Sequence, residues 1–205
     1  MTRLLLLRHA AHDLAGRALA GRMEGLGLNA IGREQALRLA DHFHGDDRIG
    51  IPQVLASSPQ PRARETIAPL AARLGLPVSI AREFDEIDFG DWTGLAFEAV
   101  RQRDPEAWRR WCEQRSQARP PGGEAFEAVA ARTRAGLERL RREHPDQSVL
   151  VVSHADVIKA SIAGVLGLSL DRLECFDVAC ASLSVIELYE GGGRLVLLNA
   201  TVAGG

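Results

Sequence analysis

Cysteine, lysine and aromatic residues are all scarce in this sequence. Three cysteines, Cys112, Cys175 and Cys180, occur without C-x-x-C spacing, which argues against a disulfide framework or a structural zinc site and favours a reducing compartment. The formal net charge is only -2, so no overall positive field favours binding to nucleic acid or to an anionic membrane. The apolar run at residues 4–7 is too short for a signal peptide or a transmembrane helix. We therefore expect a cytoplasmic protein with no nucleic-acid or membrane partner.

The overall composition is that of a globular chain. Its 205 residues are 46% hydrophobic and 25% charged, values that exclude a disordered or fibrous protein. This length suits one domain with a full hydrophobic core, so we expect residues 1–205 to form a single domain. Arginine supplies 24 of the 25 basic residues, the other being Lys159. Its planar guanidinium group suits the recognition of phosphate.

Hydrophobic periodicity predicts alternating strands and helices. The predicted strands cover residues 4–7, 54–56, 78–81, 149–152, 182–189 and 194–198, and the predicted helices cover 30–43, 61–74, 126–144 and 157–166. Asn29 is the expected N-cap of the first of these helices. Such alternation indicates an α/β fold, a three-layer α/β/α sandwich with a mostly parallel central sheet. The pattern loosens at residues 82–123, which we interpret as an insertion or cap with one helix opened by Asp104 and Pro105.

Three of the predicted strands run directly into polar residues. The first strand is followed by Arg8 and His9, the second by two serines with Arg62 just beyond, and a later one by Ser153 and His154. Ligands of open α/β sheets bind outside the carboxyl ends of the strands. Helices begin after these strands, and their N-termini can direct backbone donors to the same crevice. The pattern predicts an anion site.

These residues also resemble a known family, the histidine phosphatase (phosphoglycerate mutase-like) superfamily. The resemblance rests on five motifs that follow the family order: LLLLRH at 4–9, SSPQPRARET at 57–66, EIDFGDWTG at 86–94, PGGE at 121–124 and VVSH at 151–154. Together the motifs cover nearly the whole chain. The resemblance implies a phosphoglycerate mutase-like fold.

The resemblance also assigns roles at the site. It implies that His9 attacks phosphorus and becomes a phosphohistidine, which requires a neutral imidazole whose other nitrogen donates, for example to a backbone carbonyl. Arg8 and Arg62 match the phosphate clamp, and His154 matches a second histidine that donates to the phosphoryl group. Glu86 matches the acid that protonates the leaving oxygen and then activates water. Neither a metal nor another cofactor is expected.

The protonation state of Glu86 is a separate expectation. Nearby arginines lower the pKa of a carboxyl and a bound phosphate dianion raises it. We therefore expect Glu86 to be ionised in the free enzyme and to become an acid once substrate is bound. The alternative is that Glu86 is one solvated member of an acidic loop with Glu83, Asp85, Asp88 and Asp91.

Further substrate contacts are less sharply indicated. Arg17 and Arg22 lie in the loop before the first helix, where the family recruits substrate contacts, and solvated surface is the equal alternative. The family usually follows its Arg-His with Gly and a polar pair, whereas this chain has Ala10, Ala11 and His12. The turn after His9 must therefore accept the Cβ atom of Ala10. His12 is a candidate phosphate contact; the alternative is that it is a solvent-exposed loop residue.

Other residues near these motifs have two interpretations each. Ser57 and Ser153 are candidate hydrogen-bond partners of the site, or they merely satisfy the strand ends. Trp108 and Trp111 lie in the predicted cap, where a tryptophan pair at this spacing is typical of helix packing.

Three functions follow from the motifs. The favoured one is hydrolysis of a phosphomonoester of a small metabolite by a metal-independent phosphatase. A phosphoglycerate mutase-type phosphotransferase and a non-catalytic phospholigand-binding protein are the alternatives. A monomer or a homodimer is expected.

Overall fold

The computed structural model describes residues 1–43 and 49–201; residues 44–48 and 202–205 of the predicted domain lie outside the described residues. The described part contains six strands, β1 (Thr2–Arg8), β2 (Val54–Ser57), β3 (Val78–Ile80), β4 (Ser148–Ser153), β5 (Ser182–Tyr189) and β6 (Gly192–Thr201). It also contains six α-helices, α1 (Ala30–His42), α2 (Pro61–Leu74), α3 (Phe97–Arg103), α4 (Pro105–Glu113), α5 (Phe126–Glu143) and α6 (Ala155–Leu166).

The strands form one sheet in the order β3-β2-β4-β1-β5-β6. The first four of these strands pair in parallel, and β5 and β6 pair antiparallel at one side, which confirms the mostly parallel sheet. Arg8 is in register with Ser153, and Ser57 is in register with Val152. The carboxyl ends of β1, β2 and β4 therefore meet at one edge of the sheet.

Alternate leucines of β1 face opposite layers of the molecule. Leu4 and Leu6 belong to a core shared with α5 and α6, whereas Leu5 and Leu7 belong to a core shared with α1 and α2. Each fully buried leucine stabilises the fold by about 1.5–3 kcal/mol relative to an exposed one. Burial on both faces explains the unbroken apolar run, and the predicted three-layer sandwich is confirmed.

The start of α1 supports the chain that follows β1. The Asn29 side chain accepts a hydrogen bond from the Gly32 amide at 2.9 Å, which confirms the predicted N-cap. The backbone of Gly32 lies so close to Ala11 that a Cβ atom there would overlap the Ala11 carbonyl oxygen. Glycine is therefore required at this position, because the loop after β1 crosses directly over the helix.

The predicted insertion contains more helix than the sequence indicated. Two short helices, α3 and α4, occupy it, and only α4 was predicted. The first is seven residues long, too short for a clear hydrophobic period. The ring of Trp92 packs edge-on against those of Trp108 and Trp111, so the tryptophan pair packs within the predicted insertion.

The last third of the chain closes the sheet. The last two predicted strands are confirmed as β5 and β6, which pair antiparallel. Strand β6 is longer than the apolar residues alone indicated, reaching from Gly192 to Thr201. A 3-10 helix at Leu170–Cys175 was not predicted. Within residues 1–43 and 49–201, the helices are too short or too polar to cross a bilayer.

Candidate active site

Three strand ends bring their polar residues into one cluster. The ring centroid of His9 lies 5.1 Å from that of His154 and 5.0 Å from that of His12. Arg62, from the first turn of α2, places its Nη2 3.2 Å from His154 Nδ1 and 3.8 Å from Glu86 Oε2. The structure thus assembles residues that are up to 145 positions apart in the sequence.

The orientation of the His9 ring is set by its own loop. His9 Nδ1 lies 2.9 Å from the Ala10 carbonyl oxygen, and because a carbonyl only accepts, Nδ1 carries the proton and Nε2 the lone pair. Burial lowers the pKa of His9 well below its usual 6.5, and the charges of Arg62 and Arg8 lower it further. The ring is therefore neutral at physiological pH, with Nε2 free to act as a nucleophile.

Arg8 and Arg62 both offer unused donors at this cluster. Arg62 is fully buried, and its Nη2 donates a hydrogen bond to the Gly21 carbonyl at 2.7 Å. Arg8 Nη1 donates to the Val178 carbonyl at 2.6 Å. Arg62 Nε and Nη1 and Arg8 Nε are buried without a hydrogen-bond partner in the described part of the chain. Buried unpaired donors are costly, and an anion seated beside them would satisfy them.

His154 sits in a hydrogen-bond chain that fixes its tautomer. His154 Nδ1 accepts a hydrogen bond from Arg62 Nη2, so this nitrogen carries no proton. The ring proton therefore resides on Nε2, which donates to Ser58 Oγ at 2.7 Å. Ser58 Oγ in turn donates to Asp85 at 3.2 Å. Burial, followed by the charge of Arg62, holds the pKa of His154 well below 6.5. The resemblance implies that His154 donates to the phosphoryl group. Because Nε2 already donates to Ser58, this requires that Nδ1 gain a proton when an anion binds.

Glu86 is buried in the site rather than solvated with its acidic neighbours. Its Oε2 lies 3.4 Å from His154 Nδ1, and its Oε1 accepts from the Ile87 amide at 3.0 Å. Burial raises the pKa of Glu86 to about 7, because the cost of desolvation outweighs the opposing charge of Arg62, and Asp156 raises it further. The expectation that Glu86 is ionised in the free protein was therefore wrong: burial favours the acid form of this carboxyl near neutral pH.

Two arginines and a glutamate hold the backbone at Glu86. Arg22 Nε and Arg132 Nη2 both donate to the Glu86 carbonyl oxygen, at 2.8 and 3.3 Å. Glu124 joins the two arginines, pairing with Arg22 at 2.9 Å and with Arg132 at 2.8 Å. In this structure Arg22 thus supports the Glu86 loop, and its predicted contact with substrate stays a prediction.

Loss of the Glu124 charge is expected to loosen this support. The substitution Glu124→Gln removes the ion pairs that hold Arg22 and Arg132 in place, so we expect kcat to fall about tenfold to a hundredfold, the range typical of small displacements of a catalytic group. Steady-state kinetics measure the effect. The matched control is Glu138→Gln on α5, whose partner Arg141 is on the same helix. Equal activities of the two variants would contradict a positioning role.

Of the two remaining predicted substrate contacts, His12 lines the cavity and Arg17 does not. His12 is 5% exposed, so simple exposure is excluded; its Nδ1 accepts from the Leu14 amide at 3.3 Å, and its pKa is lowered to about 4, chiefly by burial. The side chain of Arg17 is exposed and lies outside the described lining of the cavity. Ala10 is fully buried and packs into the core on the α1 and α2 side, so the turn does accept a Cβ atom.

A cavity of about 440 Å³ opens from the histidines toward the cap. Its lining includes Arg8, His9, His12 and Glu86. The remainder combines apolar and charged side chains, namely Leu19, Phe89, Phe97, Trp108, Trp111, Arg115, Asp156 and Glu174 among others. The two predicted cap tryptophans therefore both pack the cap and line the cavity.

Some contributors were not predicted. The partner of His154 is Ser58, whereas Ser57 and Ser153 donate to the carbonyls of Ser58 and Phe84, as satisfied strand ends do. Only the second serine of the SS pair faces the site, a distinction that adjacent residues of one type do not reveal. Across the described ranges, no group of three or more His, Cys, Asp or Glu side chains is arranged to hold a metal ion.

Comparison with known proteins identifies the family. A family model described as histidine phosphatase superfamily (branch 1) matches residues 4–201. The chain belongs to this superfamily, and the resemblance carried by its motifs is confirmed.

Several relatives are named as phosphatases. Phosphoserine phosphatase 1 of Hydrogenobacter thermophilus is 33% identical over 204 residues, covering 98% of this chain and 93% of that protein. The adenosylcobalamin/alpha-ribazole phosphatase of Escherichia coli is 31% identical over 202 residues, with 98% of each chain covered. The structure of a mycobacterial glucosyl-3-phosphoglycerate phosphatase superposes with a TM-score of 0.86 at 29% identity, covering 97% of this chain and 99% of the other.

Other relatives are longer than this chain. A bifunctional protein of Mycobacterium tuberculosis is 38% identical over 201 residues, which are 98% of this chain but 54% of that protein. The chain therefore spans about half the length of this protein and of two further Mycobacterium relatives with the same identity.

Proposed function

We propose that this protein is a phosphatase that hydrolyses phosphomonoesters of small metabolites through a phosphohistidine at His9, without a metal ion. The observation that carries the proposal is the pairing of a neutral His9 ring, whose Nδ1 is tied to the Ala10 carbonyl, with unpaired donors of Arg62 and Arg8 beside it. A nucleophile and an anion cradle are thus present together. Phosphoserine, alpha-ribazole phosphate and glucosyl-3-phosphoglycerate, named for relatives, are candidate substrates.

The first step is phosphoryl transfer to the protein. His9 Nε2 attacks phosphorus, the bond from phosphorus to the ester oxygen breaks, and its electron pair goes to that oxygen. The acid form of Glu86 gives its proton to this oxygen, so the leaving group departs as an alcohol. Arg62 and Arg8 stabilise the charge on the non-bridging oxygens throughout, because their forked donors match two oxygens at once.

The second step restores the site. The Glu86 carboxylate takes a proton from water, the water oxygen attacks phosphorus, and the bond from phosphorus to His9 Nε2 breaks. Inorganic phosphate leaves, Nε2 regains its lone pair, and Glu86 is again protonated. The same carboxyl therefore serves as acid and then as base, for which a pKa near neutrality is well suited.

A panel of phosphorylated metabolites tests the proposal. The wild-type protein and His9→Ala are incubated with each compound in the presence of a metal chelator, and phosphate release is measured. Release by the wild type alone supports the proposed function. Binding of the compounds without turnover supports the non-catalytic alternative instead, and exchange between phosphoglycerate isomers faster than phosphate release supports a mutase.

The pH dependence follows from the charge states of His9 and Glu86. The reaction needs neutral His9, whose pKa is lowered well below 6.5, and protonated Glu86, whose pKa is raised to about 7. Raising the pH above 7 removes the acid form, so we expect kcat/KM to fall about tenfold per pH unit on the alkaline side. The acidic limb is expected well below pH 6.5.

The variant Glu86→Gln is the control for that profile. It is expected to be slow and to lack the alkaline limb, since no carboxyl remains at this position to titrate. A wild-type profile that rises steadily to pH 9 would contradict the role given to Glu86.

A further inference from the structure

We propose that the cavity selects against leaving groups that carry a carboxylate and accepts neutral or cationic ones that bear hydroxyl or amino groups. This inference rests on the proposed phosphatase function and concerns the alcohol part of the substrate. Of the three candidate substrates, it favours alpha-ribazole phosphate, whose alcohol part has no carboxylate, over phosphoserine and glucosyl-3-phosphoglycerate. It follows from where the free cationic donors lie along the cavity.

At the site, the buried guanidinium nitrogens that make no hydrogen bond in the described part of the chain belong to Arg8 and Arg62. Among the described residues, the arginine side chains that line the cavity are Arg8 and Arg115. Arg8 Nε, Arg62 Nε and Arg62 Nη1 are without a partner, and the charges of both arginines act on His9. The phosphoryl group of the substrate occupies them.

All three side-chain nitrogens of Arg115, which also lines the cavity, already donate hydrogen bonds. Its Nε donates to the Trp111 carbonyl at 2.6 Å, its Nη1 to Asp156 at 2.9 Å, and its Nη2 to Glu174 at 2.9 Å. One face of the guanidinium is covered by the Trp111 ring, whose centroid lies 4.0 Å from Cζ. A substrate carboxylate that approaches Arg115 would therefore lie beside Asp156 and Glu174, whose negative charges oppose it.

The charged wall formed by Arg115, Asp156, Glu174 and Lys159 has no net formal charge. Glu174 also pairs with Lys159, at 3.6 Å, so two cations and two carboxylates form one neutral group. A carboxylate on the leaving group therefore gains no net attraction from this wall, and the neighbouring oxygens of Asp156 and Glu174 repel it, which costs free energy. Hydroxyl and ammonium groups have no such cost, because the oxygens of Asp156 and Glu174 can accept their hydrogen bonds.

Pairs of phosphomonoesters that differ only at the carboxylate test this selection. Phosphoethanolamine is phosphoserine without its carboxylate, and glycerol 3-phosphate has a hydroxymethyl group where 3-phosphoglycerate has a carboxylate. We expect kcat/KM at low ionic strength to favour the carboxylate-free member of each pair by about tenfold or more, since ion-pair effects of this size are largest when salt is low.

The variant Glu174→Gln tests the assigned cause. The substitution removes the carboxylate that pairs with Arg115 Nη2 and leaves a net positive charge on the wall. The preference for the carboxylate-free substrate is therefore expected to shrink by about threefold or more. Glu113→Gln is the matched control: Glu113 is 60% exposed against 62% for Glu174, pairs with Arg109, and lies outside the described lining of the cavity. The preference of Glu113→Gln for the carboxylate-free substrate is expected to equal that of the wild type.

The outcomes separate the two proposals. Equal or faster hydrolysis of the carboxylate-bearing members, or an unchanged preference in Glu174→Gln, overturns the selection while leaving the phosphatase intact. Hydrolysis of neither member of either pair, together with no phosphate release from the wider metabolite panel, overturns the proposed function and with it the selection.

Discussion

Replacement of His9 by asparagine is expected to lower phosphate release by about 10,000-fold or more, the scale seen when a nucleophile is removed from an enzyme. Asparagine retains a polar side chain of similar reach but has no lone pair on nitrogen that can attack phosphorus. The anion cradle of Arg62 and Arg8 stays in place, so inorganic phosphate should still bind. The measurement is steady-state hydrolysis of a good substrate, with phosphate binding followed by calorimetry.

A neighbouring histidine provides the comparison for this loss. The ring of His12 lies 5.0 Å from that of His9 and lines the same cavity. Because it is a candidate contact rather than the nucleophile, His12→Asn is expected to retain at least about a tenth of the activity, one lost hydrogen bond being worth about 1 kcal/mol. Comparable losses in the two variants would contradict the assignment of His9 as the nucleophile.

The second large effect is expected at Arg62. Lysine at this position keeps the positive charge but loses the fork, so it cannot supply Nε and Nη1 to two phosphoryl oxygens while Nη2 holds Gly21. We expect Arg62→Lys to reduce kcat/KM about 100-fold to 1,000-fold, as removal of one preorganised donor does. Inorganic phosphate should inhibit this variant more weakly than the wild type.

Arg64→Lys is the matched control, since Arg64 lies two residues further along the same helix and is exposed. Thermal unfolding of both variants shows whether the fold is intact, because Arg62 is fully buried. A folded Arg62→Lys protein with activity within threefold of the wild type would contradict the clamp.

Strand ends explain why much of the site could be predicted from the sequence. Buried parallel strands are recognisable as apolar runs, and the residue after each run falls at one edge of the sheet. The positions of Arg8, His9 and His154 after such runs are therefore enough to predict that the three side chains lie together. Arg62 could be predicted from the SSPQPRARET motif. Asn29 could be predicted as an N-cap because its side-chain oxygen can accept a hydrogen bond from an amide of the first helical turn.

Burial and pairing explain what could not be predicted. The arginines near Glu86 are visible in the sequence, but the depth of the carboxyl is not, and depth decides that its pKa rises. The sequence also does not show that Arg22 reaches back to the Glu86 carbonyl or that Arg115 is covered by Trp111. Such contacts depend on how the cap folds over the sheet, and the short α3 was itself not predicted.

The phosphorylated protein is the most direct test of the account. The Glu86→Gln variant is mixed with an aryl phosphate, whose phenolate leaves without needing a proton, and the reaction is quenched in alkali, where phosphohistidine is stable. Because water activation is impaired in this variant, a phosphoryl group is expected to accumulate on the peptide that contains His9, as detected by mass spectrometry. Phenolate released at a steady rate with His9 unmodified, or a phosphoryl group on another residue, would contradict the account.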